Sequence, residues 1–475
     1  MKKSFLYFFL FVLIGLTLST SSCKKPLSFS NENLSFSQDT IFFDTVFTTI
    51  GSVTKKFKLY NTSNKTVNIE QIELIGGSSS SFRINVDGVP GTFFDSQELK
   101  GNDSLFIFVE VTLDPNNLTN PMVIEDQVRF RTNGKDQFVT LVAWGQDAYF
   151  HYSYISANIF DINSGTWPND KPHVIYGAAF IDSAETLNIQ AGTQVFLHKN
   201  AALYVYKGTL NINGTLGNEV TFQGDRLEAF YDDVSGQYFG IFFDQAFPST
   251  INYAIIKNGT SGIQVNGQDP SATGYTLTVT NTIVNNCSSY GIFLYNGDPN
   301  HFAGSIKAEN CILSKNGVHS FIVLGGGAFN FNHCTLLGYG TGENVSAAVG
   351  ISNFYGGTGV LRGISEGTIT NSLMYGNLEY ELAIDTVPDI AVTLNFDFQF
   401  NLIKSATQFT SPIFDPTNNI WDADPLLMNI EENDFHFFST SPLNNSGGSI
   451  FPVTSGADIE GVFRTGPDIG AYEFL

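Results

Sequence analysis

Five four-residue segments in the second half of the chain superimpose column by column. They are Tyr253-Ala254-Ile255-Ile256, Asn281-Thr282-Ile283-Val284, Asn310-Cys311-Ile312-Leu313, His333-Cys334-Thr335-Leu336 and Asn371-Ser372-Leu373-Met374. Their starts lie 28, 29, 23 and 38 residues apart. The second column holds only small residues, and the third and fourth are almost wholly aliphatic. A repeat of this period with spacers of variable length describes a solenoid, in which each unit needs a neighbour to cover its apolar face. Short apolar runs at 187–189, 195–197, 203–206, 210–212 and 220–222 are punctuated by Gly and Asn turns, and no helical periodicity of useful length follows. The solenoid is therefore expected to be built of strands.

In such a stack each inward column becomes a ladder of like residues. Ile255, Ile283, Ile312 and Leu373 are expected to form one, interrupted by Thr335. Asn281, Asn310 and Asn371 are expected at the bends, where side-chain amides satisfy turn backbone groups. His333 stands in the same column and is read as structural. Cys311 and Cys334 share the small column one coil apart, and strands in a ladder lie about 4.8 Å apart. That separation permits a disulfide. Because Ala, Thr and Ser fill the column elsewhere, buried free thiols are expected instead. With Cys287 they leave an odd number of thiols besides Cys23.

Residues 34–147 carry a different pattern. Alternating stretches at 56–60, 67–74, 104–111, 127–131 and 137–142 are separated by Asn/Gly/Ser/Pro turns, the spacing of a β-sandwich. Leu105, Ile107, Val109 and Val111 alternate with Phe106, Phe108, Glu110 and Thr112, which leaves one face aliphatic throughout. No cysteine pair staples this region. An aromatic segment at 148–172 is expected to link the two parts and to cap the solenoid, whose open strand edge needs cover. The solenoid with its C-terminal cap then runs over 173–475.

The N-terminus carries an export pattern. Lys2 and Lys3 precede a 14-residue apolar run at 5–18, and then Ser19-Thr20-Ser21-Ser22-Cys23. The run is too short to cross about 30 Å of hydrocarbon as a helix and suits a signal-peptide core at 1–22. The small residues ending in Cys23 resemble the lipobox of bacterial lipoproteins. That resemblance implies acylation of Cys23, a tether at 23–33 and lipid anchoring to a membrane. The overall style resembles bacteroidete proteins, which points to a cell outer membrane. By resemblance to known sorting rules, Lys24 and Lys25 after the cysteine argue against inner-membrane retention.

Further resemblances give fold expectations. The run Asp44-Thr45-Val46-Phe47 through Lys58-Leu59-Tyr60-Asn61 resembles the opening of immunoglobulin-like modules related to major sperm protein and hydin, which are usually spacers or adhesion units. The stretches DKPHVIYG, IQAGTQVFLHK and LYVYKGTLNINGTLGNEVTFQGDRLE resemble the opening coils of right-handed parallel β-helix proteins of bacteroidetes. DADPLLMN, NDFHFFSTSPLNNSG and TGPDIGAYEF resemble their ends. The expected fold class is all-β: an N-terminal immunoglobulin-like β-sandwich followed by a right-handed parallel β-helix. A β-helix hosts lyases, hydrolases, adhesins and binding proteins alike, so the resemblance fixes no activity.

Charge narrows the partners. The formal net charge is −22, and residues 149–475 alone carry −20, from 10 basic against 30 acidic residues. Such a field repels nucleic acid and acidic polysaccharides, the latter unless cations bridge them. A uronan lyase needs a cation to neutralise the uronate and a basic residue as proton acceptor, and the few basic residues beyond 148 are scattered. A glycosidase needs paired carboxylates about 5–9.5 Å apart, and no outward column of the repeat supplies them. No catalytic residue is assigned. The densest constellation is Asp225, Arg226, Glu228, Tyr231, Asp232 and Asp233, read either as a ligand site for a sugar or Ca2+ or as an ion-braced loop. Asp422 and Asp424, with Glu431, Glu432 and Asp434 downstream, form a second acidic group, read as a Ca2+ site or a solvated loop. Gly325-Gly326-Gly327 reads as a turn. No cofactor is expected apart from that calcium option. The expected function is a membrane-anchored, non-catalytic scaffold binding a glycan or another envelope protein. The alternatives are a carbohydrate-active enzyme, or a structural subunit whose loops at 265–275, 296–304 and 340–366 make contacts.

Overall fold

In the computed structural model the described residues are 30, 33–47, 51–113, 122–152, 162, 164–340, 346–409, 418–449, 453–454 and 456–474. Cys23 and the expected signal lie outside them. The chain divides after Asp147 into two compact units. None of the described helices is long and apolar enough to cross a membrane.

In the first unit, alternation dictates two five-stranded sheets. One is antiparallel and joins Ser35–Phe36, Lys55–Tyr60, Ser104–Val111, Phe82–Val86 and Val89–Gly91. The other joins Thr40–Phe47, Lys135–Gln146, Met122–Thr132, Val67–Leu74 and Phe93–Leu99. It is antiparallel except where Thr40–Phe47 runs parallel to Lys135–Gln146 at one edge. Ile107, Val109 and Val111 point into the core beside Phe57, Phe82 and Phe130. Phe106 and Phe108 stand on the opposite face, where Lys58 Nζ lies 4.4 Å from the Phe106 ring centre. The result is a β-sandwich with a hydrophobic core of its own and no disulfide among its described residues.

The second unit is a right-handed parallel β-helix with three sheets of 11, 9 and 8 strands. Consecutive strands of one sheet come from consecutive coils. In the first sheet Val220–Gly224, Ala254–Lys257, Ile283–Asn285, Ile312–Ser314, Thr335–Gly338 and Leu373–Gly376 stack in parallel register. The segment expected as a cap contributes strands itself: Tyr149–Tyr152 pairs with His173–Tyr176, and Gly165–Trp167 with Thr186–Gln190. The stacked rings of His151, Trp167 and His173 close that end, with centroids 4.2–5.2 Å apart.

One expectation is corrected. Ile255, Ile283, Ile312 and Leu373 do occupy one continuous column, with Thr335 between the last two. That column faces outward, whereas the interior is filled by its neighbours on either side. Phe222, Ile256, Val284, Leu313, Leu336, Met374 and Ile403 form the inner ladder, with Ala254, Cys311 and Cys334 beside it. Side chains alternate across a strand, so columns two and four share the inner face and column three must oppose them. The outer column is apolar because the C-terminal segment returns across it. Phe435, Phe437, Leu443, Ile459, Ile469, Ala471 and Tyr472 pack on Ile312, Leu337, Leu373 and Leu402 as a separate core.

Thr335, an interruption in sequence, is a fastening point: its Oγ1 accepts from Ala471 N at 3.0 Å. Cys287, Cys311 and Cys334 are free, buried thiols. The corner column Tyr253, Asn281, Asn310, His333 and Asn371 has φ between +46° and +51° throughout. This left-handed conformation is one Asn tolerates better than most residues. Asn310 Nδ2 donates to Asn281 Oδ1 at 3.1 Å, and Asn371 Nδ2 to His333 Nε2 at 3.0 Å. Asn310 and Asn371 also donate to the carbonyls of Ala457 and Gly448, so the corner ladder holds the returning segment too.

Candidate functional site

The third sheet stacks Ala178–Ile181, Ala202–Tyr206, Gly240–Ala246, Ser261–Gln268, Tyr290–Tyr295 and His319–Leu324, continuing to Leu382–Asp385. Its inner positions are aliphatic or Phe, as in Leu203, Ile241, Ile263 and Ile292. Alternation then sends Phe180, Tyr204, Phe242, Gln264 and Phe293 outward in one column, one residue per coil. All are half-buried. The rings of Phe180 and Tyr204 are 5.0 Å apart, and those of Tyr204 and Phe242 are 6.0 Å apart. The adjoining outward column pairs Tyr206 with Asp244 and Asp244 with Asn266.

Polar groups converge beside this ridge. Tyr204 donates its hydroxyl to Asp244 Oδ2 at 2.7 Å, and burial together with that carboxylate raises the phenol pKa well above its usual range. Asp244 Oδ1 makes no hydrogen bond, and His301 Nδ1 stands 3.5 Å from it. His301 Nε2 lies 3.6 Å from Asp298 Oδ2 on the other side. Arg362 fixes the loop carrying His301 by donating Nη2 to the Asp298 and His301 carbonyls at 2.6 and 2.8 Å. Phenol, carboxylate and imidazole thus meet alongside the aromatic ridge, an arrangement able to hydrogen-bond hydroxyl groups while apolar faces rest on the rings.

The constellation singled out in sequence lies elsewhere, in the loop between Val220–Gly224 and Gly240–Ala246. Arg226 pairs with Glu228, Nη2 to Oε1 at 2.9 Å and Nε to Oε2 at 3.1 Å, and its guanidinium sits 4.1 Å from the Tyr231 ring centre. Asp225 Oδ2 meets His198 Nδ1 at 2.6 Å, and His198 stacks on Tyr176. Gln237 Nε2 and Asn258 Nδ2 pin the loop by donating to the carbonyls of Tyr231, Val234 and Asp232. Arg226, Tyr231, Asp232, Gln237, Lys257 and Asn258 border a cavity of about 250 Å³. Asp232 and Asp233 are exposed. Most of the constellation is therefore occupied in bracing its own loop.

Asp422 and Asp424 are exposed at the C-terminal turn of the helix. Asp424 Oδ1 accepts from Leu426 N at 2.9 Å, and Asp422 has φ +55°. Asp434 is engaged with His436 at 2.7 Å. Among the described residues no group of three or more His, Cys, Asp or Glu side chains converges to hold a metal ion.

Sequence reading missed Tyr204, Phe242, Asp244 and His301. A signal was present in the outward aromatics Tyr204 and Tyr206 alternating with Leu203 and Val205, and in Phe242 and Asp244 alternating with the apolar Ile241 and Phe243. The coil-to-coil pairing that aligns them was not, because the spacers differ in length.

A family model described as "Right handed beta helix region" matches residues 175–336. No curated protein matches the chain. Among solved structures, pectate lyase Pel9A is 14% identical over 69% of this chain and 96% of its own, with a TM-score of 0.37. A family 123 glycoside hydrolase from Clostridium perfringens is 9% identical over 26% of this chain, with a TM-score of 0.18, and the chain spans 30% of its length. The ASH / PapD-like domain of human CEP192 is 15% identical, covering 24% of this chain and 84% of its own, with a TM-score of 0.16. Similarity at this level assigns no activity to the chain.

Proposed function

We propose that the chain is a lipid-anchored envelope protein whose β-helix binds a neutral glycan without cleaving it. The observation carrying this reading is the outward ridge Phe180–Tyr204–Phe242, one ring per coil, alongside Asp244 and His301. Coils repeat at about 4.8 Å, close to the repeat of an extended pyranose chain, so successive sugars find successive rings. The acidic field of the unit favours a neutral ligand over a uronate or sulfate. Anchoring rests on the sequence around Cys23. Replacing Cys23 by Ser should abolish incorporation of labelled palmitate and release the protein from membranes, and retention of both would remove the anchor from the proposal.

A glycan array with and without Ca2+, coupled to product detection, tests the binding. Binding without product is expected. Tyr204→Ala with Phe242→Ala should weaken it about tenfold, or about 1.4 kcal/mol, since each aromatic contact contributes about 0.5–1.5 kcal/mol beyond its area. Bond cleavage that disappears in Asp244→Asn or His301→Gln would favour the enzyme instead, a reading the Tyr204–Asp244–His301 cluster supports. Silence across the array would favour a structural subunit.

A further inference from the structure

The C-terminal segment carries a second feature, separate from the aromatic ridge. Beyond the hairpin of Leu427–Asn429 and Asp434–Phe437 lies a cavity of about 300 Å³ whose walls include Met428, Phe437, Val462, Tyr472 and Phe474. Its mouth is apolar and open: Met428 is 45% and Phe474 38% exposed, and Phe463, next to Val462 in the chain, is 73% exposed. The rim is acidic. Glu460 is half-exposed, and its carboxylate shares His436 with Asp434, at 3.1 and 2.7 Å. Glu431 and Glu432 stand exposed at the hairpin turn.

The cations facing this region are already committed. Arg464 is buried against Glu473, which lines the cavity floor, at 3.1 Å. Lys315 donates to the Glu431 carbonyl. His436, stacked on Tyr472 with centroids 4.0 Å apart, lies between its two carboxylates. An open apolar pocket on the unit carrying −20, rimmed by carboxylates, complements an apolar side chain flanked by positive charge.

We propose that this pocket docks a segment of a partner protein that presents an aliphatic side chain between lysines or arginines. The aliphatic group fills the cavity between Met428, Tyr472 and Phe474, while the flanking cations meet Glu460 and the hairpin acids.

Fluorescence anisotropy of the full chain with labelled model peptides tests this: one alternating Leu with Lys, one Leu with Glu and one Ser with Lys. Only the Leu/Lys peptide should bind, with a salt-sensitive affinity. Met428→Ser, on an exposed side chain, and Glu460→Gln should each weaken it about tenfold, equivalent to about 1.4 kcal/mol. Asp233→Asn, an exposed acid of a different loop, should leave it unchanged. Equal binding of the Ser/Lys peptide, equal loss in Asp233→Asn, or no binding at all would overturn the proposal. A concentration-dependent dimer in sedimentation that Met428→Ser abolishes would overturn it as well, by assigning the pocket to a second copy of the chain. Glycan binding at the Tyr204 ridge should persist in both pocket variants, so failure of one site is distinguishable from failure of the other.

Discussion

The contact between Thr335 and Ala471 shows how much one side chain can carry here. Thr335 Oγ1 receives the Ala471 amide, and Gly470 beside it has φ +104°, where a Cβ would lie only 3.0 Å from the same oxygen. Thr335→Val keeps the shape and leaves a buried N–H unpaired, which should cost about 1–3 kcal/mol in chemical denaturation. Gly470→Ala should cost a similar amount through backbone strain, about 1–3 kcal/mol.

His333 makes a pH prediction. Its ring is buried in the corner column, and burial, with the Arg464 guanidinium adding to it, holds its pKa down at about 2. The unfolded imidazole titrates at about 6.5, so the unfolded chain takes up the proton first. The contribution is complete above that value and drains as pH falls toward 2. His333→Asn should therefore flatten the fall in stability between pH 7 and pH 5, by up to about 1.4 kcal/mol per pH unit. Urea titrations at the two pH values read it, and an unchanged slope would show that His333 does not contribute. The corner column was legible in sequence because a left-handed bend selects Asn locally. The role of Thr335 was not, since its partner lies 136 residues further along the chain.

At the scale of a strand, the face a residue occupies decides the effect of a charge. Val284 belongs to the inner ladder, and Ile312 to the outer column under the C-terminal segment. Val284→Asp buries a carboxylate without a partner, a cost of several kcal/mol that should prevent the coils from stacking. Ile312→Asp should instead loosen the covering segment. Limited proteolysis separates the two: the Ile312 variant should lose residues beyond about 430 while a resistant β-helix remains, and general degradation would contradict that division of roles. Four-residue columns reveal that a repeat exists and how it pairs. Two adjoining aliphatic columns do not reveal which is inside when the outer face is also covered.

For the whole molecule, two units with separate cores predict two transitions in calorimetry. Phe57, fully buried in the sandwich, gives the test. Phe57→Ala should lower one transition, by about 3–5 kcal/mol, and leave the other in place; a joint shift would mean the units unfold as one.

The sequence by itself determined the two-part all-β architecture, the solenoid and the coil register of its first sheet, the corner asparagines and the packing positions of Cys311 and Cys334. Each of these is set by local periodicity, by backbone conformation or by the equivalence of positions in a repeat. Tertiary structure alone decided that the Ile255 column lies outside, that the C-terminal segment covers it, and that Tyr204, Phe242, Asp244 and His301 meet on one face. Those relations join residues dozens to more than a hundred positions apart through spacers of unequal length. No local pattern records which distant segment completes a surface.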